Sequence, residues 1–183
     1  VVEVDPMKAT STPVKHTALG RFSHEGAETT LSSAGHLVVY MGDDRRFEYF
    51  YKYVSDGVYA DDPASNATLL RDGTLYVARF DADGTCVWLP LVQGTGPLTA
   101  ENGFHDQGDV LIDTRLAADL LGATPMDRPE DAQPRGDGTV YLMLTNNSRR
   151  KTPNAANPRN KNRFGHIIEI KELNGDHAAQ SGR

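Results

Sequence analysis

The chain has 183 residues, with 25 acidic and 19 basic side chains, and its net charge is −6. This acidic balance argues against a nucleic-acid-binding protein, because Lys and Arg normally neutralise the phosphates of such a partner. No run of about 18 apolar residues occurs, so we expect no membrane-spanning helix. The single cysteine, Cys86, excludes an internal disulfide framework and a multi-cysteine zinc site. We predict that Cys86 packs within a strand.

Short runs rich in Val, Ile, Tyr and Phe, separated by Gly, Asp and Asn, dominate the chain. Such runs are typical of β-strands, and dipeptides such as Asp83-Gly84 mark the turns between them. The predicted strands are Val1–Val4, Thr17–Phe22, Ala27–Leu31, Leu37–Met41, Tyr49–Val54, Thr74–Phe80, Val87–Val92, Val140–Leu144 and His166–Ile170. The pattern therefore predicts a mainly β protein.

Two segments depart from this pattern. Apolar residues recur at helical spacing over about residues 109–122, where Gly122 can end a helix, so one inserted helix is predicted. Asn and Pro crowd about residues 148–163, which contain almost no large apolar residue. We predict a long loop there, termed the polar loop, and its residues from Arg149 to Arg163 form a local basic patch.

An internal repeat indicates the architecture. His24-Glu25 and the later segment from Gly35 to Arg46 show the same order of features as Pro129-Glu130 and the segment from Gly138 to Arg150. Each unit has a Glu, a turn with Gly, an apolar strand, two Asp or Asn residues and two Arg residues. Repeating antiparallel sheets of about four strands build a β-propeller. We therefore interpret the whole chain as part of a single β-propeller domain, an incomplete ring of blades with one inserted helix.

Acidic residues in the two units are the first candidates for a site. Glu25 and Glu130 both stand at the start of the predicted innermost strand, which lines the channel of a propeller. Asp43, Asp44 and Asn147 follow the next strands. Carboxylates around a channel repel one another unless a cation lies among them, and oxygen-only clusters favour hard ions such as Ca²⁺. The alternative is that these are turn residues and surface charges.

Arg128 lies two residues before Glu130. An arginine beside a metal-binding carboxylate suits two oxygens of a phosphate or a carboxylate. The alternative is that Arg128 is a counter-ion for Asp127 or Asp131. The six histidines lack the spacing of a zinc site, and no Ser-His-Asp signature, phosphate-binding loop or dinucleotide fingerprint occurs.

A series of motifs follows in order along nearly the whole chain. They are Thr12 through Ala27, Val39 through Asp44 with Phe47-Glu48-Tyr49, Gly73 through Phe80, Leu116 through Glu130, Leu144 through Asn147, Asn157-Pro158-Arg159 and Gly165 through Ile168. Together they resemble the motifs of the PhoX-type alkaline phosphatases, a family of secreted bacterial enzymes.

The resemblance implies a β-propeller that hydrolyses phosphate monoesters with Ca²⁺ and Fe³⁺ at the mouth of its channel. It implies that Glu25, Asp44 and Glu130 are metal ligands and that Arg128 contacts phosphate, whereas Asp43 and Asn147 are weaker candidates. It also implies export in the folded state through a twin-arginine signal, of which this sequence shows none. The expected location is periplasmic or extracellular.

The sequence also departs from the family pattern. The family's iron-binding cysteine and further carboxylates lie upstream of the region matched here, and Cys86 does not correspond to that cysteine. We therefore expect the iron ligands to lie outside this chain and the chain alone to be inactive or nearly so. Two other functions stay open from the sequence. One is a non-catalytic calcium-binding propeller module, and the other is a different calcium-dependent propeller hydrolase, such as a lactonase-like enzyme.

Overall fold

The computed structural model describes residues 1–183, and most of its regular structure is antiparallel β-sheet. The strands are β1 (Val2–Glu3), β2 (Val14–Lys15), β3 (His24–Leu31), β4 (His36–Asp43), β5 (Phe50–Val58), β6 (Gly73–Phe80), β7 (Cys86–Pro90), β8 (Pro129–Pro134), β9 (Thr139–Leu144), β10 (His166–Lys171) and β11 (Ser181–Gly182). The α-helices are α1 (Gln107–Ile112) and α2 (Thr114–Leu121). The prediction of a mainly β protein is confirmed. Neither helix has the length and apolar character needed to cross a membrane.

Sequential hairpins build two main sheets. The first has six strands in the order β11-β7-β6-β5-β4-β3, and the second has three in the order β10-β9-β8. Strands β1 and β2 form a separate pair. The edge strands β3 and β8 lie against each other but belong to different sheets. This arrangement matches the inner strands of neighbouring propeller blades, in a ring that is not closed.

The strands β8-β9-β10 repeat the layout of β3-β4-β5. The first hairpins of the two units have turns of the same length, and each first strand carries a register shift before its turn. Gly35 and Gly138 occupy the same place in the two turns, and their φ angles are 86° and 81°. These positive values favour glycine, since other side chains rarely adopt them. The repeat in the sequence therefore corresponds to a repeat in the structure.

The predicted strand Thr17–Phe22 is wrong. Thr17–Leu19 form a 3-10 turn that ends at Gly20, whose φ is 77°. A Cβ atom at Gly20 would lie only 2.9 Å from neighbouring side-chain atoms, so glycine is required by both conformation and space. The turn places the fully buried Leu19 in the core, which explains the apolar character of the segment.

The single helix predicted over about residues 109–122 is instead two helices that meet at Asp113. The Thr114 hydroxyl donates to the Leu111 carbonyl at 2.7 Å. Such side-chain bonds compete with the regular helical ladder and favour a break. Gly122 ends α2 with a φ of 75°, as its position in the sequence indicated.

The six-stranded sheet is packed on both faces, because successive residues of a strand point to opposite sides. Val39 and Met41 of β4 join a core cluster that includes buried residues of both helices. Val38 and Tyr40 join the other cluster, which contains residues of the three-stranded sheet. Cys86 belongs to this second cluster and is 1% exposed, so its predicted packing role is confirmed.

The two sheets approach most closely at Gly42 of β4. A Cβ atom there would lie 2.3 Å from the Glu130 carbonyl oxygen and 2.4 Å from the Pro129 carbonyl oxygen. The glycine is therefore required by the approach of one backbone to another. This contact fixes the start of β8 beside the end of β4.

We predict that Gly42→Ala lowers the free energy of unfolding by about 1–3 kcal/mol, because backbone carbonyls cannot move aside as a flexible side chain can. Gly136→Ala is the matched control, since a Cβ atom there meets no atom within 4 Å. Chemical denaturation of both variants and the wild type measures the difference. Equal stability of the two variants would contradict the close approach at Gly42.

A buried polar network joins the six-stranded sheet to the residue that follows β10. Lys52 Nζ lies 3.0 Å from Glu172 Oε1, and each residue is 1% exposed. Glu172 also accepts from the Tyr40 hydroxyl at 2.7 Å and from the Trp88 indole at 3.1 Å. Burial lowers the pKa of Lys52 to about 8 and raises the pKa of Glu172, while the ion pair opposes both shifts. Desolvation therefore outweighs the attraction within the pair.

We predict that Lys52→Met costs about 3–5 kcal/mol of stability near pH 7, where Lys52 is still charged, because it leaves the Glu172 carboxylate buried without a cation. Loss of Lys52 raises the pKa of Glu172 further, so the folded state holds this proton more tightly than the unfolded state. Stability then falls as the pH rises through the folded-state pKa, and the variant should be less destabilised at pH 5.

Unfolding free energies of the Lys52→Met protein at the two pH values test this prediction. The exposed Lys151→Met is the control, since Lys151 forms no ion pair. An equal loss of stability at pH 5 and pH 7 would show that the charge of Glu172 does not cause the destabilisation.

Candidate active site

The four residues predicted to form a site meet at the junction of β3, β4 and β8. Glu25 is the second residue of β3, and Asp44 directly follows β4. Arg128 directly precedes β8, and Glu130 is the second residue of that strand. Because β3 and β8 are facing edges of the two sheets, side chains that are distant in the sequence come together there.

The Arg128 guanidinium lies at the centre of this junction. Its Nε donates to Asp44 Oδ1 at 2.9 Å, and its Nη2 donates to Asp44 Oδ2 at 3.0 Å. The same Nη2 lies 3.2 Å from Glu130 Oε1. All three side chains are half-buried. The φ of Arg128 is 55°, a left-handed conformation that is uncommon outside glycine and is concentrated at functional sites.

Negative charge surrounds Arg128. Burial raises the pKa of Glu130, the Asp44 carboxylate raises it further, and Glu25 adds to the effect against the opposing influence of Arg128. Glu25 is exposed, and its charge raises the pKa of Arg128 and of Glu130 through space. The hydrogen bond to Asp44 raises the pKa of Arg128, so the guanidinium stays charged. One guanidinium therefore contacts two carboxylates and is attracted by a third.

Glu25 and Glu130 do not occupy matched places in the repeat, contrary to the sequence interpretation. Glu25 lies ten residues before Gly35, whereas Glu130 lies eight residues before Gly138. Since the two hairpins align at these glycines, the counterpart of Glu25 is Arg128. The two strands are equivalent, but the site is asymmetric, because one unit supplies a carboxylate where the other supplies a guanidinium.

The weaker candidates Asp43 and Asn147 are both buried. Arg115 of α2 donates to the two oxygens of Asp43 at 2.8 and 2.7 Å, so Asp43 anchors the helix at the end of β4. The Asn147 Oδ1 accepts from the Arg149 N–H at 3.2 Å, and its Nδ2 has no partner. Sequence reasoning missed Arg115, because no local pattern connects α2 with β4.

Asp127 pairs with Arg150, and not with Arg128, so the alternative interpretation of Arg128 as a counter-ion for Asp127 is wrong. Its buried carboxylate accepts from the Arg150 Nε and from the Asn162 Nδ2 at 3.3 Å. Its N–H donates to the Asn157 Oδ1 at 2.9 Å. The polar loop contains no strand, and these contacts with Asp127 hold it beside Arg128.

An open groove of about 420 Å³ lies beside Arg128. Its lining consists of Asp44, Arg45, Arg46, Glu48, Arg128 and Arg149. Two of these arginines come from the turn after β4, and one comes from the polar loop. Guanidinium groups match the oxygens of phosphate and carboxylate, so the groove suits an anionic ligand.

The acidic residues of the junction have the donor chemistry of a hard-metal site. Glu25, Asp44 and Glu130 offer only carboxylate oxygens, which suit Ca²⁺ better than zinc. The raised pKa of Glu130 reflects burial and the neighbouring Asp44 carboxylate, and a bound cation would neutralise this charge. No group of three or more His, Cys, Asp or Glu side chains is close enough to hold a metal ion by itself. These residues fit a metal ion in donor type, but they form an incomplete set.

We predict that Arg128→Gln raises the pKa of Glu130 in the metal-free protein. Burial and the Asp44 charge remain in this variant, while the guanidinium that contacts Glu130 is lost. Carboxyl resonances followed in an NMR pH titration measure the change, and the exposed Arg163→Gln is the control. An unchanged or lowered pKa in Arg128→Gln would show that Arg128 does not govern the electrostatics of the junction.

Comparison with known proteins identifies one matching family. The family model described as alkaline phosphatase PhoX matches residues 1–183. The solved structure of Pseudomonas fluorescens PhoX in complex with vanadate, a transition state analogue, is similar with a TM-score of 0.93 and 45% sequence identity. The match covers 99% of this chain and 34% of that protein, so this chain spans about a third of its length. A search of curated proteins found no match. The chain belongs to the PhoX alkaline phosphatase family.

Proposed function

We propose that the full-length protein containing this chain is an alkaline phosphatase, a metal-dependent hydrolase of phosphate monoesters, and that this chain supplies part of its active site. Membership of the PhoX family and similarity to a phosphatase bound to vanadate support this proposal. The observation that carries it is the contact of Arg128 with Asp44 and Glu130 at the junction of the two sheets.

Arg128 is the proposed phosphate contact. Its Nε and Nη2 donate to carboxylates, whereas both N–H groups of Nη1 remain free. Hydrogen bonding to Asp44 raises the pKa of Arg128, so the guanidinium keeps its charge at alkaline pH. During phosphoryl transfer, charge is spread over the non-bridging oxygens, and a fixed cation at those oxygens stabilises the transition state.

Glu25, Asp44 and Glu130 are the proposed metal ligands. Their oxygens suit a hard cation such as Ca²⁺, and the family resemblance adds Fe³⁺, whose ligands would lie outside this chain. Bound metal ions would hold phosphate oxygens and activate an oxygen nucleophile. Because Asp44 and Glu130 accept hydrogen bonds from Arg128, metal binding at these carboxylates would leave the guanidinium available to the phosphate.

Cys86 is not proposed as an iron ligand. It lies in the core at 1% exposure, and burial raises its pKa. A metal-binding cysteine must be a thiolate, and this environment favours the thiol. The position of Cys86 therefore agrees with an iron site whose cysteine lies elsewhere.

Export to the periplasm or the cell exterior is a further part of the proposal. It rests on the family resemblance alone. Fractionation of cells that produce the full-length protein tests it, because recovery of the folded, metal-loaded enzyme only from the cytosol would contradict export.

Two variants of the full-length protein separate the proposed roles. Arg128→Ala should keep its metals and lower kcat/KM for p-nitrophenyl phosphate by roughly 10- to 150-fold, the effect of about 1.5–3 kcal/mol for a hydrogen bond to a charged group. Glu130→Gln should lose metal occupancy, because a negatively charged ligand becomes neutral. Elemental analysis and steady-state kinetics measure both properties, with Arg163→Ala as the control.

The opposite pattern, in which Arg128→Ala loses metal and Glu130→Gln keeps it, would reverse the two assignments. A full-length wild-type protein that binds metal but does not hydrolyse phosphate monoesters would contradict the proposed function. The 183-residue chain alone is expected to be inactive or nearly so. Rapid turnover by this chain would show that it already contains every essential group.

A further inference from the structure

Three arginines line the groove beside Arg128 without a carboxylate partner. They are Arg45, Arg46 and Arg149, here termed the arginine rim. All three are exposed, and unlike Arg128 none of them forms an ion pair. The one hydrogen bond from their guanidinium groups runs from Arg46 Nη2 to Asn146 Oδ1, at 3.4 Å.

Neither acidic residue of the groove forms an ion pair with a rim arginine, although Glu48 attracts Arg45 at longer range. Asp44 accepts both of its close contacts from Arg128, at 2.9 and 3.0 Å. Glu48 lies 3.4 Å from the Nε of Arg115, which is outside the rim. The rim therefore presents three positive charges without an ion-pair partner, in a chain whose net charge is −6. Like charges held in one groove repel one another, and a bound anion relieves that repulsion.

The backbone around the rim is held by specific contacts. Arg45 and Arg46 lie in the turn after β4. A hydrogen bond holds this turn at its next residue, Phe47, whose N–H donates to the Met126 carbonyl at 2.8 Å. The Arg150 guanidinium lies 5.3 Å from the centre of the Phe47 ring and is itself paired with the buried Asp127. Since Arg150 directly follows the third rim arginine, both turns depend on the same buried pair. The backbone from which the three arginine side chains extend is therefore held in place by contacts outside the rim.

We propose that the arginine rim is a second anion subsite, which binds a negative charge on the leaving group while Arg128 contacts the phosphate that is removed. This role rests on the proposed function. It favours phosphate monoesters whose alcohol portion carries a further phosphate or carboxylate. The N–H donors of a guanidinium form a fork that matches either group.

Two non-hydrolysable phosphonates that differ by one carboxylate, ethylphosphonate and 3-phosphonopropionate, test the subsite in the full-length, metal-loaded protein. Isothermal titration calorimetry at low salt should show that the wild type binds 3-phosphonopropionate about five-fold more tightly, the effect of one or two exposed ion pairs. The Arg46→Gln/Arg149→Gln double variant should bind ethylphosphonate as the wild type does and lose most of this preference. Arg163→Gln, an exposed arginine outside the groove, should keep the preference.

The subsite is disproved if the wild type does not distinguish the two phosphonates, or if the double variant retains the wild-type preference. If the double variant binds both phosphonates more weakly by the same factor, the rim attracts anions without selecting among them, and this result also contradicts the proposal. Hydrolysis of p-nitrophenyl phosphate by the same protein tests the proposed function separately. A protein that distinguishes the phosphonates without hydrolysing this ester would keep the anion subsite and refute the phosphatase.

Discussion

The guanidinium of Arg128 contacts the carboxylates of Asp44 and Glu130. The arrangement of the side chains at the junction of the two sheets depends on this contact. The two carboxylates come from different sheets, and they would repel each other without a cation between them. The same contact therefore links the two sheets and brings the residues of the candidate site together. A metal ion on these carboxylates would take over the neutralising role and leave the guanidinium for a phosphate. One electrostatic constraint thus links the stability of the junction to its proposed chemistry.

The six-stranded sheet gives this junction a rigid support, because it is packed on both faces. At the end of β4, Arg115 of α2 holds the buried Asp43, one residue before Asp44. On the face that meets the second sheet, Lys52 and Glu172 form a fully buried ion pair. Buried pairs of this kind are costly to break, so they restrict the ways in which the sheets can move. The site therefore lies on elements whose positions are fixed by contacts outside it.

Local patterns in the sequence predicted most of the strands and the repeat, because strands and turns are determined largely by neighbouring residues. Strand β8 is missing from the predicted strands, since Pro129–Pro134 has few β-forming residues. The family resemblance, and not a local pattern, singled out Glu25, Asp44, Arg128 and Glu130 as the candidate site. The segment around Gly20 was predicted wrongly as a strand, since its apolar residues serve a turn whose shape depends on packing. The arginine partners of Asp43 and Asp127 could not be predicted, because they lie far along the chain. The offset of Glu130 relative to Glu25 can be counted in the sequence, where the two residues lie eight and ten positions before the glycines of their turns. Only the equal register of the two hairpins shows that these glycines are equivalent, so that the offset places Arg128, and not Glu130, opposite Glu25.

In the proposed mechanism, Arg128 contacts the transferred phosphoryl group while the surrounding carboxylates bind metal. A crystal structure of the full-length protein with its native metals and vanadate can test both roles at once, with anomalous scattering to locate the metals. We expect a vanadate oxygen within hydrogen-bonding distance of Arg128 and a metal ion on the oxygens of Glu25, Asp44 and Glu130. Vanadate bound away from Arg128, or metal ions that avoid all three carboxylates, would contradict it.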